Sequence, residues 1–367
     1  MMTANEKLIG LTGNIATGKS VVRRMLVNIG ALGLDADIIA HRTLYPGGAA
    51  YPAVVDAFGE DLLNQRGEIS RPALGRIVFS DPDRLSKLES LVHPAVTQTV
   101  KQRIERARLP LIVIEAIKLF ESPLIDLCDS VWISDTAPDV QLERLLQTRN
   151  MSESDAKARI AAQPPQEEKR NRANAVIHTE GEYSQTWRQV RAALNDTIQS
   201  KAASAFPNIN ITDTCTALPA GKLPEQELTA FWTSSTKGNI GSLYESLAFQ
   251  AILALTENGE LETLLLIEER NLTASLTRAI VPRSETSRLR DWLTAFEQYS
   301  LLHQCELLIL PKCFTKSYPE DGIMKASGFT RQTPADLAFP AWREAAIHQS
   351  TGMDQPLWVK VIAQPFI

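Results

Sequence analysis

The sequence has no apolar run that is long enough to cross a membrane as a helix. Its uninterrupted apolar runs, such as LIVI at 111–114 and LLLI at 264–267, have the length of β-strands. The first residues, MMTANEKLIGLTG, lack the long apolar stretch of a secretory signal peptide. These absences predict a cytoplasmic protein with no membrane partner.

Cysteine is scarce as well, and the chain has no net positive charge. The four cysteines, Cys128, Cys215, Cys305 and Cys313, show neither CxxC nor metal-ligand spacing. We therefore expect reduced thiols rather than a disulfide framework or a zinc site. The formal net charge of −5 argues against a protein that binds nucleic acid through a general basic surface. No nucleic-acid partner is predicted.

The length of 367 residues suits two domains better than one. In residues 1–200, apolar strand-like runs alternate with amphipathic helical segments, which predicts a doubly wound α/β domain with a parallel sheet. The next residues are small, polar or proline and show little periodicity, so we place the boundary at 200–210. Residues 201–367 predict two helices, a hairpin around Asn258-Gly259, a third strand, a helix and two later strands, which is an α+β pattern.

The clearest chemical motif is GLTGNIATGKS at residues 10–20, which contains the P-loop pattern GxxxxGKS between an apolar strand and an amphipathic helix. Glycines in such a loop let backbone N–H groups turn toward phosphates, and the N-terminus of the next helix favours negative charge. Lys19 is expected to reach the β and γ phosphates of a nucleotide, and Ser20 is expected to ligate Mg²⁺. The predicted phosphate site consists of Gly13, Asn14, Ile15, Ala16, Thr17, Gly18, Lys19, Ser20 and Val21.

Acidic residues follow two further predicted strands. Asp35-Ala-Asp37 stands at the end of the second strand, where open α/β sheets bind their ligands. Alternate residues of an extended segment point the same way, so both carboxylates can face one cleft. One is expected to accept a proton from a hydroxyl and the other to orient Mg²⁺ or its waters, unless one of them caps the next helix. Glu115 ends the apolar run LIVIE and is either a further carboxylate near Mg²⁺ or a surface residue.

A polar helical region after the fourth predicted strand is typical of a nucleotide lid. Its polar and basic residues are Gln141, Arg144, Arg149, Lys157, Arg159 and Gln163. A lid closes over the nucleotide, excludes water and brings guanidinium groups to the transferred phosphoryl group. Basic residues on polar helices also occur on ordinary solvated faces, and it is the position after the fourth strand that favours a lid.

Six segments of the first domain together resemble the dephospho-CoA kinase family, in order and in spacing: GLTGNIATGKS, LGLDADIIAHR, FGEDLL…GEISRPALGRIVF, LESLVHPAV, KLFES and QLERLLQTRNMSESDAKARIAAQ. The resemblance covers residues 8–181. It implies an enzyme that phosphorylates the ribose 3′-hydroxyl of dephospho-CoA with ATP, in the last step of coenzyme A synthesis. It also implies a P-loop kinase fold with a helical lid and an acceptor-binding insertion.

The resemblance implies roles for residues on the ATP side. Asp37 would be the catalytic base, while Lys19 and Ser20 would contact the phosphates and Mg²⁺. Arg144 would be the catalytic arginine of the lid, and Arg149 would contact the nucleotide.

On the acceptor side, the resemblance implies that His93 belongs to the part that binds dephospho-CoA. Asp35 is also expected to contact dephospho-CoA and to hold Mg²⁺ through water. Lys118 stands where the family has an apolar residue, and it would contact an acceptor phosphate or cover apolar surface with its stem. The chain also departs from the family's pattern at Asn174 and Thr179, near the end of the domain.

Two other interpretations of the first domain stay open. A different P-loop kinase would phosphorylate a small acceptor such as a nucleoside or a sugar. A nucleotide-dependent switch would need a guanine-reading Asn-Lys-x-Asp motif, which is absent, and its DxxG match at Asp56–Gly59 does not follow a predicted strand.

The second domain resembles the GNAT-type acetyltransferase fold in its order of elements. AIVPR at 279–283 stands where that family has its acyl-CoA segment, and KASGF at 325–329 matches a late Gly-Phe pair. A pyrophosphate loop needs glycines for backbone approach, but RSETSR at 283–288 has none and adds the charge of Glu285. We therefore favour a structural or ligand-sensing domain, while binding of CoA or acyl-CoA for acyl transfer or regulation stays open.

Overall fold

The computed structural model describes residues 7–149, 151–197, 207–281, 288–350 and 353–365. We call the described residues up to 197 the first unit and those from 207 onward the second unit. Each unit is built on its own β-sheet. No helix in these described ranges combines the length and the apolar character needed to cross a membrane.

The first unit contains a five-stranded sheet in which every pairing is parallel. Its strands are β1 (Lys7–Thr12), β2 (Leu32–Asp35), β3 (Leu111–Glu115), β4 (Ser130–Asp135) and β5 (Ala175–His178). The order across the sheet is β2-β3-β1-β4-β5, so β1 is central. A parallel sheet is covered by helices on both faces and needs apolar residues at successive positions, and every residue of β3 and β4 is buried. The predicted doubly wound sheet is confirmed.

The helices of the first unit are α1 (Lys19–Asn28), α2 (Ala36–Thr43), α3 (Tyr51–Phe58), α4 (Arg71–Phe79), α5 (Pro82–Glu105), α6 (Pro138–Arg149), α7 (Glu153–Ala161), α8 (Gln166–Arg170) and α9 (Tyr183–Thr197). Helix α1 begins directly after the P-loop, and its last residue contacts the second unit. Helices α6 and α7 correspond to the predicted lid and α8 follows them, and we call α6 to α8 the lid region. Helices α3 to α5 lie between β2 and β3 in the chain.

Helix α5 differs from the sequence-based expectation, which predicts two helices with Pro94 in the first turn of the second one. The structure has a single helix over Pro82–Glu105 with Pro94 in its interior. An interior proline costs about 3 kcal/mol or more, since it removes one backbone hydrogen bond and crowds the preceding turn. Burial of Val92, Val96 and Val100 on the core face of α5 offsets that cost.

The second unit contains an eight-stranded sheet. Its strands are β6 (Ile209–Asn210), β7 (Cys215–Pro219), β8 (Ala251–Glu257), β9 (Glu260–Arg270), β10 (Thr273–Ile280), β11 (Leu307–Leu310), β12 (Thr330–Gln332) and β13 (Leu357–Val361). Their order is β12-β13-β11-β10-β9-β8-β7-β6, and β10 with β11 is the parallel pair in a sheet whose other described pairings are antiparallel. The helices are α10 (Glu225–Thr236), α11 (Ile240–Phe249), α12 (Leu289–Leu302), α13 (Lys312–Ser317), α14 (Asp321–Ala326) and α15 (Pro340–Gln349).

The predicted hairpin joins β8 to β9. Asn258 and Gly259 have φ of 51° and 86°, the left-handed backbone that a two-residue hairpin turn needs at both positions. The predicted helices and strands of this unit are also present, and the structure adds β6, β7 and β12, which the sequence pattern did not indicate. A second α+β unit is thus confirmed.

Helix α1 joins the two units through an apolar contact and a buried amide. Its face packs against α9 and α11, and Asn28 at its last position is 1% exposed. Asn28 Oδ1 accepts a hydrogen bond from the Ile252 amide at 2.7 Å, and its Nδ2 donates to the carbonyl oxygens of Leu247 and Gln250, each at 2.9 Å. One side chain therefore satisfies three backbone groups at the end of α11 and the start of β8.

Two buried ion pairs add to this contact. Arg24 Nη1 of α1 lies 2.5 Å from Glu269 Oε2, and Arg42 Nη2 of α2 lies 2.5 Å from Glu306 Oε1. Trp342 Nε1 donates to the other carboxylate oxygen of Glu306 at 2.9 Å. Buried charges require partners of this kind, since an unpaired charge in the interior is strongly destabilising.

Tyr299 and His303, which look like exposed polar residues in the sequence, are both buried in this contact. The Tyr299 hydroxyl donates to Glu269 Oε1 at 2.8 Å, and His303 Nδ1 lies 3.4 Å from the same oxygen. Burial lowers the pKa of His303 to about 4. The pKa of Glu269 falls to about 2 because the favourable charges of Arg24 and His303, with hydrogen bonds from Tyr299 and Arg24, outweigh its burial. The exposed positions expected from the sequence are wrong because both side chains contact Glu269 of β9, a mostly buried partner in the same unit.

We predict that His303 makes the protein less stable as the pH falls from 6.5 toward 4. Its pKa in the folded protein is below the ordinary value of 6.5, so protonation favours the unfolded chain in that window. The contribution of neutral His303 to the free energy of unfolding is fully present above pH 6.5. Below that pH the free energy of unfolding declines by up to about 1.4 kcal/mol per pH unit. Glu269, with a pKa of about 2, stays ionised throughout.

Urea unfolding at pH 7.5, 6 and 5 measures this effect, with His303→Gln as the test variant and the exposed His93→Gln as the control. The midpoint of His303→Gln should depend less on pH than the midpoints of the parent and the control. An unchanged pH dependence in His303→Gln would contradict the assignment.

Candidate functional site

The loop between β1 and α1 has a shape that requires its two glycines. Gly13 and Gly18 have φ of 149° and 85°, where residues with a Cβ are strained. A Cβ on Gly13 would lie 2.6 Å from the Ser134 carbonyl oxygen, and one on Gly18 would lie 2.9 Å from Thr179 Oγ1. Helix α1 begins at Lys19, directly after the loop. The first amides of a helix lack intrahelical partners, and they are available to an anion.

Side chains of the lid region brace the outer edge of this phosphate loop, residues 13–20. Gln166 Oε1 accepts from the Asn14 amide at 3.0 Å, and Gln163 Oε1 accepts from the Ile15 amide at 2.7 Å. Lys169 Nζ donates to Asn14 Oδ1 at 2.9 Å. The sequence predicts Gln163 in the lid but does not indicate the contacts of Gln166 and Lys169, because polarity is the one signal that these two residues carry.

Lys19 lies against the same loop and is buried. Its Nζ donates to the carbonyl oxygens of Gly13 at 3.0 Å and of Asn14 at 2.9 Å. The ammonium group is therefore held beside the loop and within reach of the cavity that the loop borders.

A cluster of charged and hydroxyl groups lies where β2 and β3 end. Asp35 and Glu115 are register partners on these two parallel strands. Ser20 Oγ donates to Glu115 Oε1 at 3.1 Å, and Arg23 Nε donates to Glu115 Oε2 at 2.7 Å. Arg23 Nη2 also lies 3.7 Å from Asp35 Oδ2. Burial and the neighbouring Glu115 carboxylate raise the pKa of Asp35, although the charge of Arg23 opposes the shift.

The motifs in the sequence do not point to Arg23. Its signal is its spacing, since it stands four residues after Lys19 on α1 and therefore on the same face as the first turn. Glu115 is 6% exposed, so the interpretation of this residue as a surface carboxylate is wrong.

Asp37 lies at the site, but in a helix and not in the extended segment that the sequence predicts. Strand β2 ends at Asp35 and α2 begins at the next residue, so Asp37 lies in the first turn of a helix and not in an extended segment. Asp35 Oδ1 caps this helix by accepting from the amides of Asp37 and Ile38, both at 3.0 Å. The cap anticipated for one of the two aspartates is Asp35. The exposed Asp37 carboxylate still lines the same cavity.

Arg144 of α6 connects the phosphate loop to the residues after β5. Its Nη1 donates to the Ala16 carbonyl oxygen and to Thr179 Oγ1, both at 3.0 Å. Thr179 Oγ1 in turn donates to the Thr17 carbonyl oxygen at 2.8 Å. Thr179, a departure from the family's pattern, thus links the loop, the lid and the end of β5, a role that the sequence did not indicate.

The phosphate loop and the ends of β2 and β3 border one cavity with a volume of ≈ 370 Å³. Residues of the phosphate loop, among them Lys19, line it together with Asp37 and Arg144. Two aromatic residues complete the lining: Tyr183 at the start of α9, and Phe249 at the end of α11 in the second unit. The cavity combines a phosphate-binding loop, cations and a carboxylate, which is the equipment of a phosphoryl transfer site.

Three of the predicted site residues lie elsewhere or are not described. His93 is exposed in the middle of α5, and Lys118 is 66% exposed with its Nζ 2.8 Å from Glu89 Oε1. Neither lines the cavity. The side chain of Arg149 lies outside the described part of the structure.

Known proteins match the first half of the chain. The sequence model of the dephospho-CoA kinase family matches residues 7–185. The dephospho-CoA kinase of Geobacter metallireducens is 39% identical over 195 residues, which are 52% of this chain and 97% of that protein. The dephospho-CoA kinase of Streptomyces avermitilis is 44% identical over 170 residues, covering 46% of this chain and 83% of that protein.

Among solved structures, TT1252 from Thermus thermophilus is 30% identical and covers 53% of this chain and 99% of its own, with a TM-score of 0.48. The sequence relatives are matched over nearly their whole length, so they determine the family. The chain belongs to the dephospho-CoA kinase family.

Proposed function

We propose that this chain transfers the γ-phosphoryl group of ATP to the ribose 3′-hydroxyl of dephospho-CoA and releases coenzyme A and ADP. The observation that carries the proposal is that one cavity is bordered by the phosphate loop, by Lys19 and by the Asp37 carboxylate. Family membership supports dephospho-CoA as the acceptor and ATP as the donor. The reaction class follows from the site, and the identity of the acceptor follows from the family.

Asp37 is proposed as the general base. As the acceptor oxygen forms its bond to the γ-phosphorus, the bond from that phosphorus to the β–γ bridging oxygen breaks, and ADP leaves. The proton of the attacking hydroxyl passes to the Asp37 carboxylate. Because Asp35 caps α2 through the Asp37 amide, the backbone that carries the base is fixed at the mouth of the cavity.

Positive groups and amides would hold the phosphates in line for this transfer. Lys19 and the amides at the start of α1 would bind the β and γ phosphates. Arg144 would place its guanidinium beside the transferred group, since its contacts with Ala16 and Thr179 fix it at the edge of the loop. Arg149 is proposed as a second cation of the lid.

Magnesium would be held by Ser20, with Glu115 and Asp35 beside it. Hydroxyl and carboxylate oxygens are the donors that Mg²⁺ prefers, and Ser20 Oγ lies 3.1 Å from Glu115 Oε1 at the end of the neighbouring strand. The residues therefore fit the ion. When bound, Mg²⁺ neutralises charge on the β and γ phosphates.

The acceptor would enter from the side of α2 and α5. We propose that His93 and Lys118 contribute to binding dephospho-CoA there, although neither lines the ATP cavity. The support is their proximity to one another, since Lys118 pairs with Glu89, four residues before His93 on α5. The exposed Lys118 ammonium group would exchange Glu89 for the negatively charged pyrophosphate of the acceptor.

The second unit is proposed neither to bind acyl-CoA nor to have acetyltransferase activity. Strand β10 contains the start of the segment that the GNAT resemblance assigns to acyl-CoA. Two carbonyl oxygens of this strand already accept hydrogen bonds from side chains. Cys313 Sγ is 3.7 Å from the Thr277 oxygen, and the Tyr318 hydroxyl is 3.4 Å from the Ala279 oxygen. The glycine-free loop at 283–288 falls mainly on residues outside the described part.

We also propose a domain boundary at 200–210 and a cytoplasmic location. Helix α9 ends at Thr197 and β6 begins at Ile209, which supports a connection in this region. All four cysteines are free thiols, and free thiols fit a reducing compartment.

Replacing Asp37 by Asn should reduce kcat at least about a hundredfold, because the amide cannot accept the hydroxyl proton. ATP affinity, measured by calorimetry, should stay within about twofold of the parent. Asp196→Asn, which makes the same change on the exposed side of α9, serves as the control. Full turnover by Asp37→Asn, or turnover of nucleosides and sugars in place of dephospho-CoA, would contradict the proposal.

Replacing Glu115 by Gln should raise the Mg²⁺ concentration needed for half-maximal rate by roughly ten- to hundredfold, as loss of a charged neighbour of a metal ligand does elsewhere. Glu168→Gln on the exposed face of α8 is the matched control. The melting temperature shows whether loss of the Arg23 contact unfolds the variant. An unaltered Mg²⁺ requirement in folded Glu115→Gln would remove Glu115 from the proposed metal site.

Titration of the full chain with acetyl-CoA should show at most one site, and dephospho-CoA should compete for it, because the second unit is proposed not to bind acyl-CoA. The measurement is calorimetry with and without saturating dephospho-CoA. A second site that persists under saturation would contradict this part of the proposal and favour an acyl-CoA sensor.

A further inference from the structure

Phe249 is an exposed aromatic residue of the second unit that lines the cavity of the first unit. It is the last residue of α11, and 55% of its surface is exposed. Large apolar side chains are usually covered, and an exposed one at the rim of a ligand cavity indicates a contact surface.

The position of Phe249 is fixed relative to the phosphate loop. The backbone on both sides of it, at Leu247, Gln250 and Ile252, is hydrogen-bonded to the buried side chain of Asn28. Asn28 ends the helix that begins at Lys19. A single ten-residue helix therefore links the phosphate loop to the segment that carries Phe249.

A second aromatic ring completes a wall with Phe249. The rings of Tyr183 and Phe249 have centroids 5.4 Å apart and meet edge to face at 83°. Gly18, Arg144 and Thr179 line the cavity together with these rings. The wall thus lies next to the phosphate loop and to the guanidinium of the lid.

The order of strands shows which part of the donor meets this wall. Asp35 ends β2 and Asp37 follows it at one edge of the sheet, whereas Thr179 and Tyr183 follow β5 at the other edge. The phosphate loop follows β1 in the centre. In the proposed transfer the acceptor hydroxyl lies at Asp37 and the γ-phosphate at the loop, so the nucleoside of the donor extends toward the β5 edge.

We propose that Phe249 of the second unit forms part of the binding wall for the purine base of ATP, so that the second unit completes the nucleotide site of the kinase. The inference rests on the proposed function for the direction of the donor. Aromatic rings and an arginine guanidinium are the surfaces on which a purine packs. The second unit then acts on ATP binding and not on the acceptor.

The test replaces Phe249 by Ala and by Trp in the full chain. Loss of one aromatic contact should weaken ATP binding roughly two- to tenfold, raising Kd from calorimetry and KM for ATP together. KM for dephospho-CoA and kcat should not change. Phe249→Trp should restore ATP binding to within about twofold, because the larger ring keeps the contact surface.

Ile240→Ala is the matched control, because Ile240 is an exposed apolar residue at the other end of the same helix and lies outside the cavity. Its ATP affinity should equal that of the parent. Equal ATP affinity in folded Phe249→Ala, or an equal rise in KM for both substrates, would overturn the inference.

The calorimetric measurement separates this inference from the proposed function. ATP binding that depends on Phe249 would stand even if dephospho-CoA were not turned over, in which case only the acceptor would be wrong. Turnover of dephospho-CoA with ATP affinity independent of Phe249 would leave the proposed function intact and remove the inference.

Discussion

Helix α1 is held at both ends, and the rest of the site depends on it. At its start, Ser20 and Arg23 bind Glu115 at the end of β3. At its end, the buried Asn28 satisfies backbone groups of the second unit. A short helix fixed in this way cannot shift without breaking buried hydrogen bonds, each of which is costly to leave unmade. Contacts with both units therefore fix the position of the phosphate loop.

The second unit also contacts the helix that carries the proposed base. Arg42 lies in the last turn of α2 and pairs with the buried Glu306, while Asp37 lies in the first turn of the same helix. Helices α1 and α2, whose first turns line the cavity, are therefore both bound near their other ends to residues of the second unit. This arrangement gives the second unit a structural part in positioning the residues that line the cavity.

Local sequence signals predicted the first sheet and the phosphate loop because their causes are local: an apolar run predicts a buried strand, and glycines permit a loop that other residues cannot form. Features that depend on tertiary packing were not predictable in this way. Pro94 suggested a helix start, but burial of the α5 core face overrides it. Tyr299 and His303 looked exposed because nothing in their own helix indicates Glu269. Phe249 gave no signal, since its cavity belongs to the other unit.

The most direct test of the central claim is product analysis after incubation of the full chain with ATP, Mg²⁺ and dephospho-CoA. Phosphorus NMR identifies the position of the new phosphate, and chromatography measures ADP. The account predicts one ADP for each 3′-phosphomonoester formed on the ribose of the acceptor. ATP consumption that does not respond to dephospho-CoA, or phosphate on a different hydroxyl, would contradict it.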